Sequence, residues 1–244
     1  MQEITFPNLA LAFIPVVIVV GLIHRWGLDS KHSIHAVLRM LAQLLLVGYA
    51  LTFLFTTEQA LLVLAVIMVM IMAASWIALG ALPQQRLAWI VYALISIFLG
   101  GVLTLLLTTQ GVLELKPWYQ PRFFIPLAGM IFANAMNSVS LAAERWLAEI
   151  ERGIAWAEAR NIAFRASLIP ITNSLFAVGL VSLPGMMTGQ ILSGVSPLVA
   201  VRYQIMVMCM IYGSAGISAA IFLTLVSMHT RQTRQRRGGK EVIP

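Results

Sequence analysis

The stretch Gly179-Leu-Val-Ser-Leu-Pro184-Gly185-Met186-Met187-Thr-Gly189-Gln190-Ile-Leu-Ser-Gly194 lies inside an apolar run, yet it cannot continue as a smooth helix. Pro184 lacks a backbone donor and clashes with the turn before it. Gly185, Gly189 and Gly194 lower helix propensity and let a second backbone come close. A broken apolar segment persists in lipid only where protein or a water-lined cavity covers its freed backbone groups. The expectation is a membrane protein with an internal break.

Composition agrees. The chain is 60% hydrophobic and 10% charged, against about 25% charged in a soluble domain. The apolar residues come in long blocks, which predicts an all-α, polytopic membrane helix bundle of about seven transmembrane helices. The expected division is a transmembrane domain over residues 1–228 and a basic, disordered tail over 229–244. A net charge of +7 can mark a nucleic-acid binder, but the positive residues flank the spans and fill the tail. They read as a topology signal, with the lipid bilayer as partner and no nucleic acid. Cys209 stands alone, which excludes an intramolecular disulfide and a cysteine metal cluster.

Working outward, the break sits in a sixth span, Leu168 to Leu192, and a seventh runs from about Val199 to Met228. Upstream spans are expected near Asn8–Ile23, Ile34–Phe55, from after the polar turn Thr56–Gln59 to near Ala81, Ala88–Thr108 and Phe124–Ala143. Glu3 and the lack of a basic residue before the first span argue against a cleaved signal peptide. Trp118 and Tyr119, in the loop from Gln110 to Arg122, suit an interfacial belt. One set of alternate loops carries Arg25, Lys31, Arg86, Arg145, Arg152, Arg160, Arg165 and the basic tail; the other carries Lys116 and Arg122. The positive-inside rule then places the N-terminus outside and the C-terminus in the cytoplasm.

No span holds Asp or Glu in its middle, against a proton-coupled carrier. Arg39 either snorkels to the headgroups or pairs with a group at a cytoplasmic gate. Asn134, Asn137 and Leu141 share one face of the fifth span, for interhelical hydrogen bonds or substrate contact. Asn173, Ser174, Ser182, Thr188 and Gln190 add polar groups around the break, and Gln204 enters the last span. Met186 and Met187 at the break, and Met206, Met208 and Met210 beyond it, are gap-filling side chains or soft metal ligands. His32 and His35 are spaced i, i+3 without a carboxylate, which is a weak metal pattern. No nucleophile elbow, zinc-protease motif or P-loop is present, so no enzyme and no ATP cradle is expected.

The only sizeable polar segment between spans is Glu144 to Arg165. Trp146, Ile150, Ile154 and Ala157 recur at helical spacing, with Glu149, Glu151, Arg152 and Glu158 on other faces. The pattern predicts a helix that lies at the interface or docks on a cytoplasmic partner. Its mixture of Glu and Arg disfavours simple adhesion to anionic lipid.

The block from Val178 to Val207 resembles the signature of the FetB family of ABC-transporter permeases, linked to iron export in bacteria and with plant relatives linked to aluminium tolerance. Three further blocks agree: Arg39 to Tyr49, Ile125 to Asn137, and Arg165 to Pro170. The resemblance implies a multi-pass permease of the cell (inner) membrane. It implies a homodimer above separate cytoplasmic ABC ATPase subunits, which use the ATP, while this chain binds no cofactor. The 144–165 segment then becomes the coupling helix, with Glu149, Arg152, Glu158 and Arg160 facing the ATPase. It departs from the family pattern in lacking a Leu-Gly-Ala motif there. Within this reading Pro184, Gly185 and Gly189 form the moving or pathway-lining element, beside Asn134, Asn137 and Gln190. A metal cargo would meet Met186 and Met187. A stand-alone channel or secondary carrier, an ABC permease for a non-metal substrate, and a scaffold that only recruits a cytoplasmic protein remain alternatives.

Overall fold

The computed structural model describes residues 5–57 and 59–238, with the backbone alone for Phe6 and residues 231–238. Glu3 and Glu58 lie outside them. The chain separates into two units, residues 1–57 and 58–244.

The first unit is a helical hairpin. Helix α1 (Phe6–Leu11) gives way to α2 (Ile14–Arg25), which has a proline in its first turn. The expected single first span is therefore two helical pieces. Helix α3 (Ser30–Leu54) starts earlier than expected. The Asp29 carboxylate caps it, accepting from the Lys31 and His32 amides at 3.1 and 3.3 Å. Arg39, His32 and His35 are exposed, and no residue of α2 or α3 is fully buried within the unit.

The second unit holds α4 (Ala60–Ala78), α5 (Arg86–Leu106) with a π-helical extension (Leu107–Val112), α6 (Pro121–Glu151), α7 (Trp156–Ala177), α8 (Gly185–Leu192) and α9 (Pro197–Gly238). Helix α6 is central and packs against α4, α5, α7 and α9. Its buried stripe of Ala128, Ile131, Ala135, Val139, Ala142 and Trp146 follows helical spacing. Alanine lets neighbouring helices come close, which matters in lipid, where packing rather than water exclusion drives association. The closest approach is between α5 and α9: a Cβ at Gly100 would stand 2.9 Å from the Ser218 backbone nitrogen. Most buried hydroxyls bond back to their own helix, as Ser75 does to the Ile71 carbonyl at 2.8 Å and Thr104 to that of Gly100 at 2.7 Å.

The expected single helix over residues 144–165 is not what forms. Helix α6 runs on to Glu151, and α7 begins at Trp156. Gly153, at φ +79°, makes the corner between them, a conformation that costs a residue with a Cβ about 1–2 kcal/mol. The sixth span is broken as expected, into α7 and α8, separated by residues 178–184. Six of the described helical stretches are long and apolar enough to cross a membrane; α7, with Glu158, Arg160 and Arg165 in its first half, is not among them. Helix α9 carries the chain well past the expected start of a disordered tail. Residues 239–244 of that tail lie outside the described ones.

Helix direction constrains the broken segment. Tyr92, near the start of α5, meets His229 near the end of α9 at 2.9 Å, so these helices are antiparallel. Arg122, at the start of α6, shares a cavity with Tyr203, near the start of α9, so α6 and α9 are parallel. The segment from α7 to α8 therefore returns the chain from the end of α6 to the level of its start.

Candidate functional site

The break is built by a tight turn that satisfies its own backbone. The Ala177 carbonyl accepts from the amides of Leu180, Val181 and Ser182 at 3.2, 2.8 and 3.2 Å. The Gly179 amide donates to the Ser182 carbonyl at 2.9 Å. Gly179 sits at φ +82°, where a side chain is strained. Pro184 then precedes α8 in an extended conformation at ψ 143°. Its carbonyl accepts from the Thr188 amide at 3.0 Å and from the Thr188 hydroxyl at 3.2 Å. The Pro184 carbonyl is thus paired within the first turn of α8.

Three cavities gather around this turn. The middle one, about 350 Å³, lies between α6, α7, α8 and α9 and is lined by Met130, Asn134, Ser174, Ser182, Pro184, Gly185, Met186, Gln204 and Met208 among others. A second, about 180 Å³, lies toward the start of α6, beside Arg122 and Tyr203, and shares Met130 and Met186 with the first. The third, about 380 Å³, holds Met187 and Cys209 and shares Val178, Gln204 and Met208 with the middle cavity. Gln204 is 5% exposed, and its Oε1 has no hydrogen-bond partner among the described residues. The Asn134 amide instead donates to the Met130 carbonyl at 2.8 Å, one turn back on its own helix.

The expected pathway residues divide. Pro184, Gly185 and Asn134 line the middle cavity. Asn137 is exposed. Gln190 and Gly189 line none of the three cavities, although the Gln190 Oε1 is buried without a partner. Met186 and Met187 do not form one site: as adjacent residues on a helix they point apart, into different cavities. At Gly185 and Gly189 no described atom of this chain lies within 4 Å of where a Cβ would stand. Met130 escaped the sequence reading as a site residue; its signal was the i, i+4 spacing to Asn134.

At the far end of α6 and α7 is the corner around Gly153. Glu149 is buried at 3% exposure and is held by Arg145 at 2.6 Å and Arg152 at 3.4 Å. Trp146 and Trp156 meet edge to face across the corner, with centroids 6.0 Å apart. Arg152, Glu158 and Arg160 are exposed. Glu149 is thus a structural clamp behind the corner, and the other three form its polar surface.

A bundle of long apolar helices with a broken, cavity-lining segment defines a multi-pass helical membrane protein of the cell membrane. The chain belongs to the Uncharacterised protein family UPF0014, whose profile matches residues 6–230. It is 35% identical over 241 residues to the probable iron export permease protein FetB of Escherichia coli K12, covering 90% of each chain. It is 34% identical over 213 residues to the UPF0014 membrane protein slr1647 of Synechocystis, covering 81% of this chain and 82% of that one. The protein ALUMINUM SENSITIVE 3 of Arabidopsis thaliana is 29% identical over 228 residues, covering 87% of this chain and 82% of its own. No solved structure matches the chain.

Proposed function

We propose that this chain is the permease subunit of an ABC transporter that exports a metal, with iron the leading cargo. A separate cytoplasmic ATPase drives it, and two permease copies assemble above two ATPase subunits. The observation that carries the reading is the broken α7–α8 segment. At one end it lines an open cavity with Pro184 and Gly185, and at the other it begins at an exposed corner. A push at the corner travels along α7 to the cavity wall without crossing another element.

In this reading the N-terminus is outside and the C-terminus cytoplasmic, so the corner faces the ATPase. The α7–α8 segment makes the seventh crossing in two pieces. Arg152, Glu158 and Arg160 contact the ATPase, while Glu149 holds the corner rigid. The iron assignment draws on the name of the Escherichia coli relative, and the absence of a P-loop fits an ATPase on another chain.

The test is co-purification with a candidate ATPase, followed by metal-dependent ATP hydrolysis and metal uptake into inside-out vesicles. ATP-dependent uptake supports the proposal. Metal flux through the purified chain alone, at the same rate with and without ATPase, identifies a channel or carrier instead. Flux of organic solutes without metal points to a non-metal permease. ATPase recruitment without any substrate effect identifies a scaffold.

A further inference from the structure

We infer that the middle cavity is a binding site for a soft, singly charged metal cation, held by the thioethers of Met130, Met186 and Met208 and the carbonyl oxygen of Gln204. The inference rests on the transport reading for the purpose of the site and turns its cargo from iron toward a softer cation, since thioethers select soft cations over hard ones; the binding itself is measured separately.

Three observations converge. First, the methionines come from three elements, α6, α8 and α9, and line one chamber. Thioethers are soft donors that select cations such as Cu(I) over hard, oxygen-seeking ions. Second, Gln204 is 5% exposed, lines the same chamber, and has an Oε1 without a partner. Leaving a buried acceptor unpaired is destabilising, and a bound cation removes that cost. Third, no Asp, Glu, Lys, Arg or His lines the chamber, and among the described residues no group of three or more His, Cys, Asp or Glu gathers anywhere. The cost of burying an ion grows with the square of its charge, so a divalent ion costs about four times, and a trivalent ion about nine times, what a monovalent one does. A chamber of neutral dipoles and thioethers suits the lowest charge.

The neighbouring cavities extend the same chemistry. Met130 and Met186 form the wall shared with the cavity beside Arg122. Met208 and Gln204 form the wall shared with the cavity that holds Met187 and Cys209. A soft cation leaving the middle site meets sulfur on either side.

The test uses the full chain purified in detergent. Cu(I), kept reduced, is titrated in competition with a chromophoric chelator, Ag(I) is titrated by calorimetry, and the bound Cu(I) is examined by X-ray absorption. The expected result is saturable binding with sulfur scatterers, and at least tenfold weaker binding of Fe(II). The triple variant Met130→Leu, Met186→Leu, Met208→Leu preserves volume. It should keep the wild-type melting temperature and elution volume while losing at least tenfold in Cu(I) affinity. Cys209→Ser should lose much less. Unchanged affinity in a folded triple variant, sulfur-free coordination, or Fe(II) binding as tight as Cu(I) overturns the inference. If the triple variant unfolds, the single variants Met186→Leu and Gln204→Leu decide in the same way. Loss of ATP-driven transport with Cu(I) binding intact would overturn the transport reading and leave the site standing.

Discussion

At the residue scale, glycines with similar sequence settings have opposite meanings. Gly100 lies where α5 meets the Ser218 backbone, and no flexible side-chain tip can yield there. Gly100→Ala should destabilise the protein by about 1–3 kcal/mol through overpacking, seen as a lower melting temperature in detergent. Gly185→Ala and Gly189→Ala enter open space and should melt within a degree or so of wild type. Glycine in an apolar run marks freedom to pack closely, but only the partner helix decides where that freedom is used. Glu149 shows the same limit. Its spacing marked it as a polar face, while burial against Arg145 and Arg152 makes it a clamp. Because both arginines are partly exposed, Glu149→Gln should cost only about 1 kcal/mol in stability. Its larger effect should fall on metal-stimulated ATP hydrolysis, measured with the partner ATPase present.

At the element scale, the broken segment was legible because Pro184 and the glycines violate helix chemistry inside an apolar block. What the sequence did not disclose is how completely the break separates the helices. The turn over residues 178–184 pairs its own backbone through the Ala177 carbonyl, so nothing forces α7 and α8 into one rod. Gly179→Ala should strain this turn by about 1–2 kcal/mol at its positive φ, lowering the melting temperature. The corner at Gly153 was missed for a related reason. Trp146, Ile150, Ile154 and Ala157 keep helical spacing across it, and one positive-φ glycine leaves little trace in a periodicity argument. In the proposed transporter the exposed charges at Arg152, Glu158 and Arg160 are the surface offered to the ATPase. Arg160→Glu, at an exposed residue outside the Glu149 clamp, should weaken ATPase binding in pull-down while leaving the melting temperature unchanged.

At the scale of the whole molecule, the helical membrane class follows from block length and charge, because the bilayer demands runs of a set length and internally paired backbone; the count does not, since seven spans were expected and six described helical stretches are long and apolar enough. The cavities were not legible. They need α6, α7, α8 and α9 placed together, and Met130, Met208 and Gln204 reach one chamber from positions far apart in the chain. The parallel course of α6 and α9 is also a tertiary fact, and it gives the broken segment its place as the return path between them. A corner at one end and a cavity at the other make that segment the lever of the proposed transporter. The most direct measurement is ATP-driven metal flux in vesicles containing the permease and its ATPase, with Pro184→Ala compared with wild type. The account predicts that the variant assembles, binds the ATPase and loses flux at least tenfold. Full flux in Pro184→Ala, or wild-type flux that needs no ATPase, would contradict it.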